Sequence, residues 1–168
     1  AGVALLPEDR KNGGLVLTMT VSENLSLPTI SRRGWWLDRN YERELSSSSI
    51  DSLGIACSSG KQIAGSLSGG NQQKLVLGKW LAANPRVLLL DEPTRGVDVG
   101  ARTEIYRRLD ELAKSGLAIL FVSSELEEVL TLADRVLVMR DGAITGEVTG
   151  DQCTEKNIMM LATGALVS

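Results

Sequence analysis

The 168-residue chain is 43% hydrophobic and 23% charged, which suffices for one ordinary globular core. A net charge of -3, with Lys and Arg scattered rather than clustered, argues against a nucleic-acid surface, and no apolar run approaches the ~20 residues that span a bilayer. Histidine is absent, so any mechanism that needs an imidazole within this chain is excluded. The opening Ala1-Gly2-Val3-Ala4-Leu5-Leu6-Pro7 lacks the basic region and the length of a secretory signal, so a soluble, cytoplasmic chain is expected. Cys57 and Cys153 show no CxxC spacing and read as two small, inert side chains.

In chain order, residues 3–6 form a short apolar run consistent with a buried strand, broken by the charged, glycine-ending loop 7–14. Thr20 followed by Glu23 has the capping-box arrangement of a helix start, and Pro28 ends that helix or bends the chain beyond it. Asp38 can cap a helix running to about Leu53, in which the serine run 46–49 is a weak point because serine competes for the backbone. Trp35 and Trp36 read as partial core residues.

Ser68, Gly69 and Gly70 then read as a short turn opening an amphipathic helix over about 71–83. Unpaired N–H groups and the positive end of the helix dipole meet there, the glycines admit a phosphate close to the backbone, and Ser68 adds a hydroxyl. Leu75, Leu77, Gly78 and Leu81 sit among the apolar positions of this helix, and Lys74 and Lys79 are expected in solvent. Asn84-Pro85 stops it and delivers the chain to residues 87–90, an uninterrupted apolar run that suits a parallel strand covered on both faces. Asp91 and Glu92 stand at the carboxyl end of that strand, where open α/β sheets place ligands, and pleating frees the two acids for separate tasks.

Asp98 is a plausible N-cap for a helix over 99–114, with Ile105, Leu109 and Leu112 at helical spacing. Gly116 ends it, and 117–122 makes the next buried strand. Ser124 can cap a short helix over 125–132. The runs 135–139 and 143–148 flank Asp141-Gly142, a strong hairpin signal, and 154–161 reads as a closing helix. Strands alternating with helices indicate an α/β fold with a mainly parallel sheet.

The stretch Leu67-Ser68-Gly69-Gly70-Asn71-Gln72-Gln73 resembles the signature motif of the ATP-binding cassette (ABC) ATPases, and residues 87–92 resemble their Walker B strand. LSGGNQQK followed by LLLDEPTRGVDVGAR is similar to the second cassette of the ATPases that power bacterial importers of ribose, galactose and xylose type. The resemblance runs from about Ala4 to Ala162. It implies a P-loop NTPase-like core plus a small helical subdomain: about 20–84 for the helical and signature part, 85–150 from Walker B to the last strands, and 151–168 for a closing helix and tail.

It also implies ATP and Mg2+ as cofactors, with Ser68, Gly69, Gly70, Asn71 and Gln72 facing a nucleotide held by a partner cassette. Asp91 would hold the metal, and Glu92 would orient and deprotonate the attacking water. Asp98 would help shape the facing site, as an alternative or addition to its capping role. Glu8 stands where the family usually has a metal-sensing glutamine, and is either its substitute or a loop charge. Ser124 stands where most relatives have a histidine on the γ-phosphate; it serves either the nucleotide or only as a cap, and a hydroxyl brings no positive charge. The sequence contains no GxxxxGK[ST] phosphate loop, so it reads as the back part of a cassette lacking its Walker A portion. Expected partners are a second cassette, a transmembrane permease and, indirectly, a sugar-binding protein, with the chain peripheral on the inner face of the cell membrane. The alternatives are a non-hydrolysing interaction module and a non-transport ABC ATPase.

Overall fold

A computed structural model of the chain describes residues 2–30 and 39–164. The chain forms two compact units, Ala1–Val122 and Ser123–Ser168.

The first unit carries a parallel sheet in the order β1 (Val3–Leu6), β2 (Val87–Asp91), β3 (Ala118–Val122). Leu6 is level with Leu90, and Leu90 with Phe121, so Asp91 faces Val122 at the carboxyl edge. Alternation decides what each residue does. Ala4, Leu6, Leu88 and Leu90 point into the core, where α3 (Gly69–Leu81) packs against β1 and α4 (Val99–Lys114) against β3. The opposite face is open, with Val3, Leu5, Leu120 and Val122 each more than half exposed. Val87 and Leu89 of β2, on that face, are half-buried, and among the described residues α3 and α4 pack on the face of Leu88 and Leu90.

The helical part starts at α1 (Val21–Ser26), whose capping box forms as the sequence predicts. Thr20 Oγ1 accepts from the Glu23 amide, and Glu23 accepts back from the Thr20 amide at 2.8 Å. A single 3-10 turn, Leu27–Thr29, takes up Pro28. Helix α2 (Arg39–Leu53) then packs on α1 and runs through the serine stretch unbroken. Ser46 is buried there, its hydroxyl 2.8 Å from that of Ser22, so tertiary burial overrides the local weakness. Asp38, Trp35 and Trp36 lie outside the described residues.

The loop 7–14 is more ordered than expected. Arg10–Gly14 winds into one π-helical turn capped by Asp9, which accepts from the amides of Lys11 and Asn12 and from the Asn12 side chain. The Asn12 side chain, ahead of the two amides, holds the Asp9 carboxyl below its ordinary pKa.

The second unit consists of α5 (Leu126–Leu132), the antiparallel pair β4 (Arg135–Arg140) and β5 (Ala143–Thr149), and α6 (Glu155–Thr163). Its core is Val138, Val148 and Ile158, with Leu126, Val129 and Leu161 against them. Asp141 and Gly142 both adopt positive φ, 51° and 78°, the backbone that a two-residue hairpin turn requires. Among the described residues no helix is long and apolar enough to cross a membrane.

Candidate functional site

The start of α3 is a Ser68-capped turn on two glycines. The glycines belong to the helix itself, which starts two residues earlier than expected, with Ser68 in extended conformation as N-cap. Ser68 Oγ accepts from the Asn71 amide at 3.5 Å and from Asn71 Nδ2 at 2.9 Å, so the Asn71 side chain provides the firmer link. Asn71 Oδ1 in turn accepts from the Ala56 amide at 2.7 Å, fastening the turn to the segment after α2. Ser68 is exposed, Gly69 half-buried and Gly70 buried. A Cβ at Gly70 would stand 2.5 Å from the Ala101 Cβ and 3.4 Å from Asp98 Oδ2. Glycine is therefore needed here for the close approach of α4.

Behind this turn α3 is anchored by polar side chains that periodicity alone does not place. Gln72 turns inward and donates to the Ala64 carbonyl at 3.3 Å, and Gln73 donates to the Pro93 carbonyl at 2.6 Å. The sequence pattern groups Gln72 with the ligand-facing residues; the structure separates it from Ser68 and Gly69. Lys74 is not in solvent, as expected from its charge, but 7% exposed: its ammonium pairs with Glu104 of α4 and donates to the Gly54 carbonyl at 2.9 Å. That pairing holds the Glu104 carboxyl below its ordinary pKa. Lys79 is also drawn in, donating to the Gly14 carbonyl at 2.7 Å, and burial lowers its pKa. The ammonium groups of both lysines satisfy backbone carbonyls.

At the edge of the sheet Asp91 is exposed and ends β2. Glu92 departs from strand geometry with φ 48°, while its amide still donates to the Val122 carbonyl at 2.9 Å. A left-handed glutamate costs on the order of 1 kcal/mol or more and redirects the side chain from the path the pleat would give it. Among the described residues no group of three or more His, Cys, Asp or Glu converges to hold a metal. A magnesium ion carried with a nucleotide takes only one or two carboxylates beside phosphate oxygens and water, and the exposed Asp91 fits that donor set.

The turn 95–98 links the two places. Thr94 is buried, the Val97 amide donates to the Thr94 carbonyl at 3.1 Å, and Gly96 has φ 65°. Asp98 caps α4 as predicted, accepting from the Ala101 amide at 3.0 Å, and its second oxygen lies toward Gly70. Glu8 pairs with Arg95. Ser124 is exposed and lies in the second unit. Its expected capping role is corrected: Ser123 Oγ accepts from the Glu125 amide at 3.0 Å, and α5 has Glu125 as N-cap without a side-chain cap bond.

A parallel α/β sheet with two acids at the end of its central strand, beside a helix that opens on two glycines, is the arrangement on which open α/β folds place nucleotide ligands. The family described as ABC transporter matches residues 2–95, and the chain belongs to that family. It is 50% identical over 165 residues to a ribose import ATP-binding protein of Escherichia coli O157:H7, covering 97% of this chain and 33% of that protein. It is 48% identical over 165 residues to a putative ribose/galactose/methyl galactoside import ATP-binding protein of Rhizobium etli, covering 97% of this chain and 32% of the relative. The chain thus spans about a third of the length of the curated relatives it matches. Among solved structures, a dimeric post-hydrolysis state of the ATP-binding cassette MJ0796 with ADP and Pi superposes with a TM-score of 0.76 at 22% identity. That match covers 88% of this chain and 62% of the other, and establishes the common fold.

Proposed function

We propose that this chain is part of the second cassette of an ATPase that energises import of a monosaccharide, and that its Ser68-Gly69-Gly70 turn completes a nucleotide site on a partner cassette. The observation that carries the reading is the α3 start, where an exposed Ser68 caps a helix that opens on two glycines. The ribose import relatives support the transport role, and the sugar itself is selected elsewhere in such a system.

MgATP, when bound, supplies the scissile γ-phosphoryl group. Ser68 Oγ and the amides after it donate to phosphate oxygens and gain strength as charge builds on them. Asp91 offers a hard oxygen to the metal, and Glu92, redirected by its left-handed backbone, orients the attacking water and accepts its proton. The Asp98 carboxylate holds the α4 start against Gly70, keeping the turn's floor in place while its exposed side faces the partner. Ser124 stands where most relatives have a histidine, and a neutral hydroxyl stabilises developing negative charge less than a cation does. A permease contacts the helical part around α1 and α2, and the whole sits on the inner face of the membrane.

Calorimetry tests the reading. MgATP is titrated into the chain alone and into its mixture with a partner cassette that has an intact GxxxxGK[ST] loop. No binding alone and tighter nucleotide retention in the mixture are expected. Tight binding by the chain alone would show a phosphate site of its own and overturn the division of labour.

A further inference from the structure

Arg10 belongs to none of the motifs described, yet three functional segments meet at its guanidinium. Nη1 donates to the Arg95 carbonyl at 3.0 Å. A Cβ on Gly69 would stand 2.9 Å from Nη2, so the guanidinium lies directly against the first glycine of the α3 start. A Cβ on Gly96 would be 3.8 and 3.9 Å from Nη2 and Nη1. We propose that Arg10 is the positioning residue that locks the 7–14 loop, the Gly69 turn and the 95–98 turn into one register, so that a displacement of the loop moves both turns together.

The rest of the loop is built to hold this one side chain. The π-helical turn returns the Leu15 amide to the Arg10 carbonyl at 2.8 Å, Asp9 caps it, and Lys79 reaches from α3 to the Gly14 carbonyl. Gly14 is pressed onto α3, where a Cβ would lie 2.9 Å from Val76 Cγ2. The Arg10 backbone is therefore tied to the same helix whose first turn its guanidinium touches. Glu8, two residues earlier, pairs with Arg95 and gives the loop a second grip on the 95–98 turn, but none on Gly69.

Stability does not explain this placement. Arg10 Nε is buried without a hydrogen-bond acceptor, and the cation lies beside the positive end of the α3 dipole. Both are unfavourable in the resting fold, as expected of a group kept for positioning rather than cohesion. A planar fork reaching several backbones is also a task that the point charge of lysine does not perform.

The inference deepens the proposed role of the signature turn and rests on it for its effect on catalysis, so the test has two arms. Amide hydrogen exchange is measured on the full chain for wild type, Arg10→Met, Arg10→Lys and Glu8→Gln. Arg10→Met is expected to speed exchange about fivefold or more in residues 67–72 and 94–98 together, with α2 and the melting temperature unchanged. Glu8→Gln should affect 94–98 alone. Exchange that rises in one segment only, in neither, or throughout the molecule overturns the proposal. In the second arm the variants are assayed in the ATPase assembled with its partner cassette. Arg10→Met should lower kcat about tenfold or more with KM within about threefold, and Arg10→Lys should not restore it. Full rescue by lysine, or a change confined to KM, overturns the bridging role. If wild type shows no nucleotide turnover, the proposed function falls, and the exchange arm still decides what Arg10 does.

Discussion

Substituting Gly70 with alanine sets two opposing effects against each other. A helical alanine is favoured over glycine by up to ~1 kcal/mol, less in a first turn. The new Cβ, however, would stand 2.5 Å from the Ala101 Cβ, inside contact distance for two carbons, and α3 or α4 must move. Overpacking of this kind costs about 1–3 kcal/mol, so the net change is a loss of about 0–3 kcal/mol. Ala101→Gly alone loses up to ~1 kcal/mol through propensity. In the double variant the propensity terms cancel and the collision is gone, so stability returns close to wild type. The coupling between the two sites then equals the strain, about 1–3 kcal/mol, well above the ~0.3–0.5 kcal/mol within which independent sites add. Urea unfolding of the four proteins, followed by the fluorescence of Trp80 on α3 and the other tryptophans, measures it. Additive effects would refute the close approach of α3 and α4 and with it the reason for glycine at this position.

The same geometry sets three further expected outcomes. Ser68→Glu places a negative charge where phosphate oxygens are received, so hydrolysis by the ATPase assembled with its partner cassette should fall ~100-fold or more; normal turnover would remove the signature role. Glu104 has a folded pKa below its ordinary 4.5 because of Lys74, so its stabilising contribution is full above that value and is lost as pH falls through the lower folded pKa. Glu104→Gln should therefore flatten the acid limb of the stability profile, and equal limbs would show that the pair does not form in solution. Thr20→Ala removes one half of the capping box and exposes the other, and should cost about 1 kcal/mol in urea unfolding; no change would mean that α1 is held by packing alone.

Much of the local structure is written in neighbouring residues. Thr20 and Glu23, Asp98 with Ala101, and Asp141-Gly142 each fix a start or a turn by interactions a few residues apart, and each forms as predicted. The signature turn and the acidic strand end are legible for the same reason: their chemistry lies in residue types at fixed short spacing. The exposed Ser68 and the glycines beside it could be read directly, whereas the inward turn of Gln72 could not, because a helix start does not say which of its polar residues face a neighbour.

The tertiary structure alone decided the long-range pairings. A charge on a helix is ordinarily solvated, and only the approach of α4 and of the 7–14 loop buries Lys74 and Lys79 against Glu104 and Gly14. Apolar strands do not reveal which face a helix covers, and Val3, Leu5, Leu120 and Val122 lie open although their sequence is as apolar as the buried face. Arg10 is the clearest case. Its partners Gly69 and Arg95 are 59 and 85 residues away, so nothing in the local sequence marks it, and its placement emerges only once β1 and β2 bring the loop and the turn to the same edge of the sheet. Sequence by itself determined the elements and the chemistry they carry, because those depend on short-range spacing; the positioning of that chemistry depends on contacts that exist only in the folded chain.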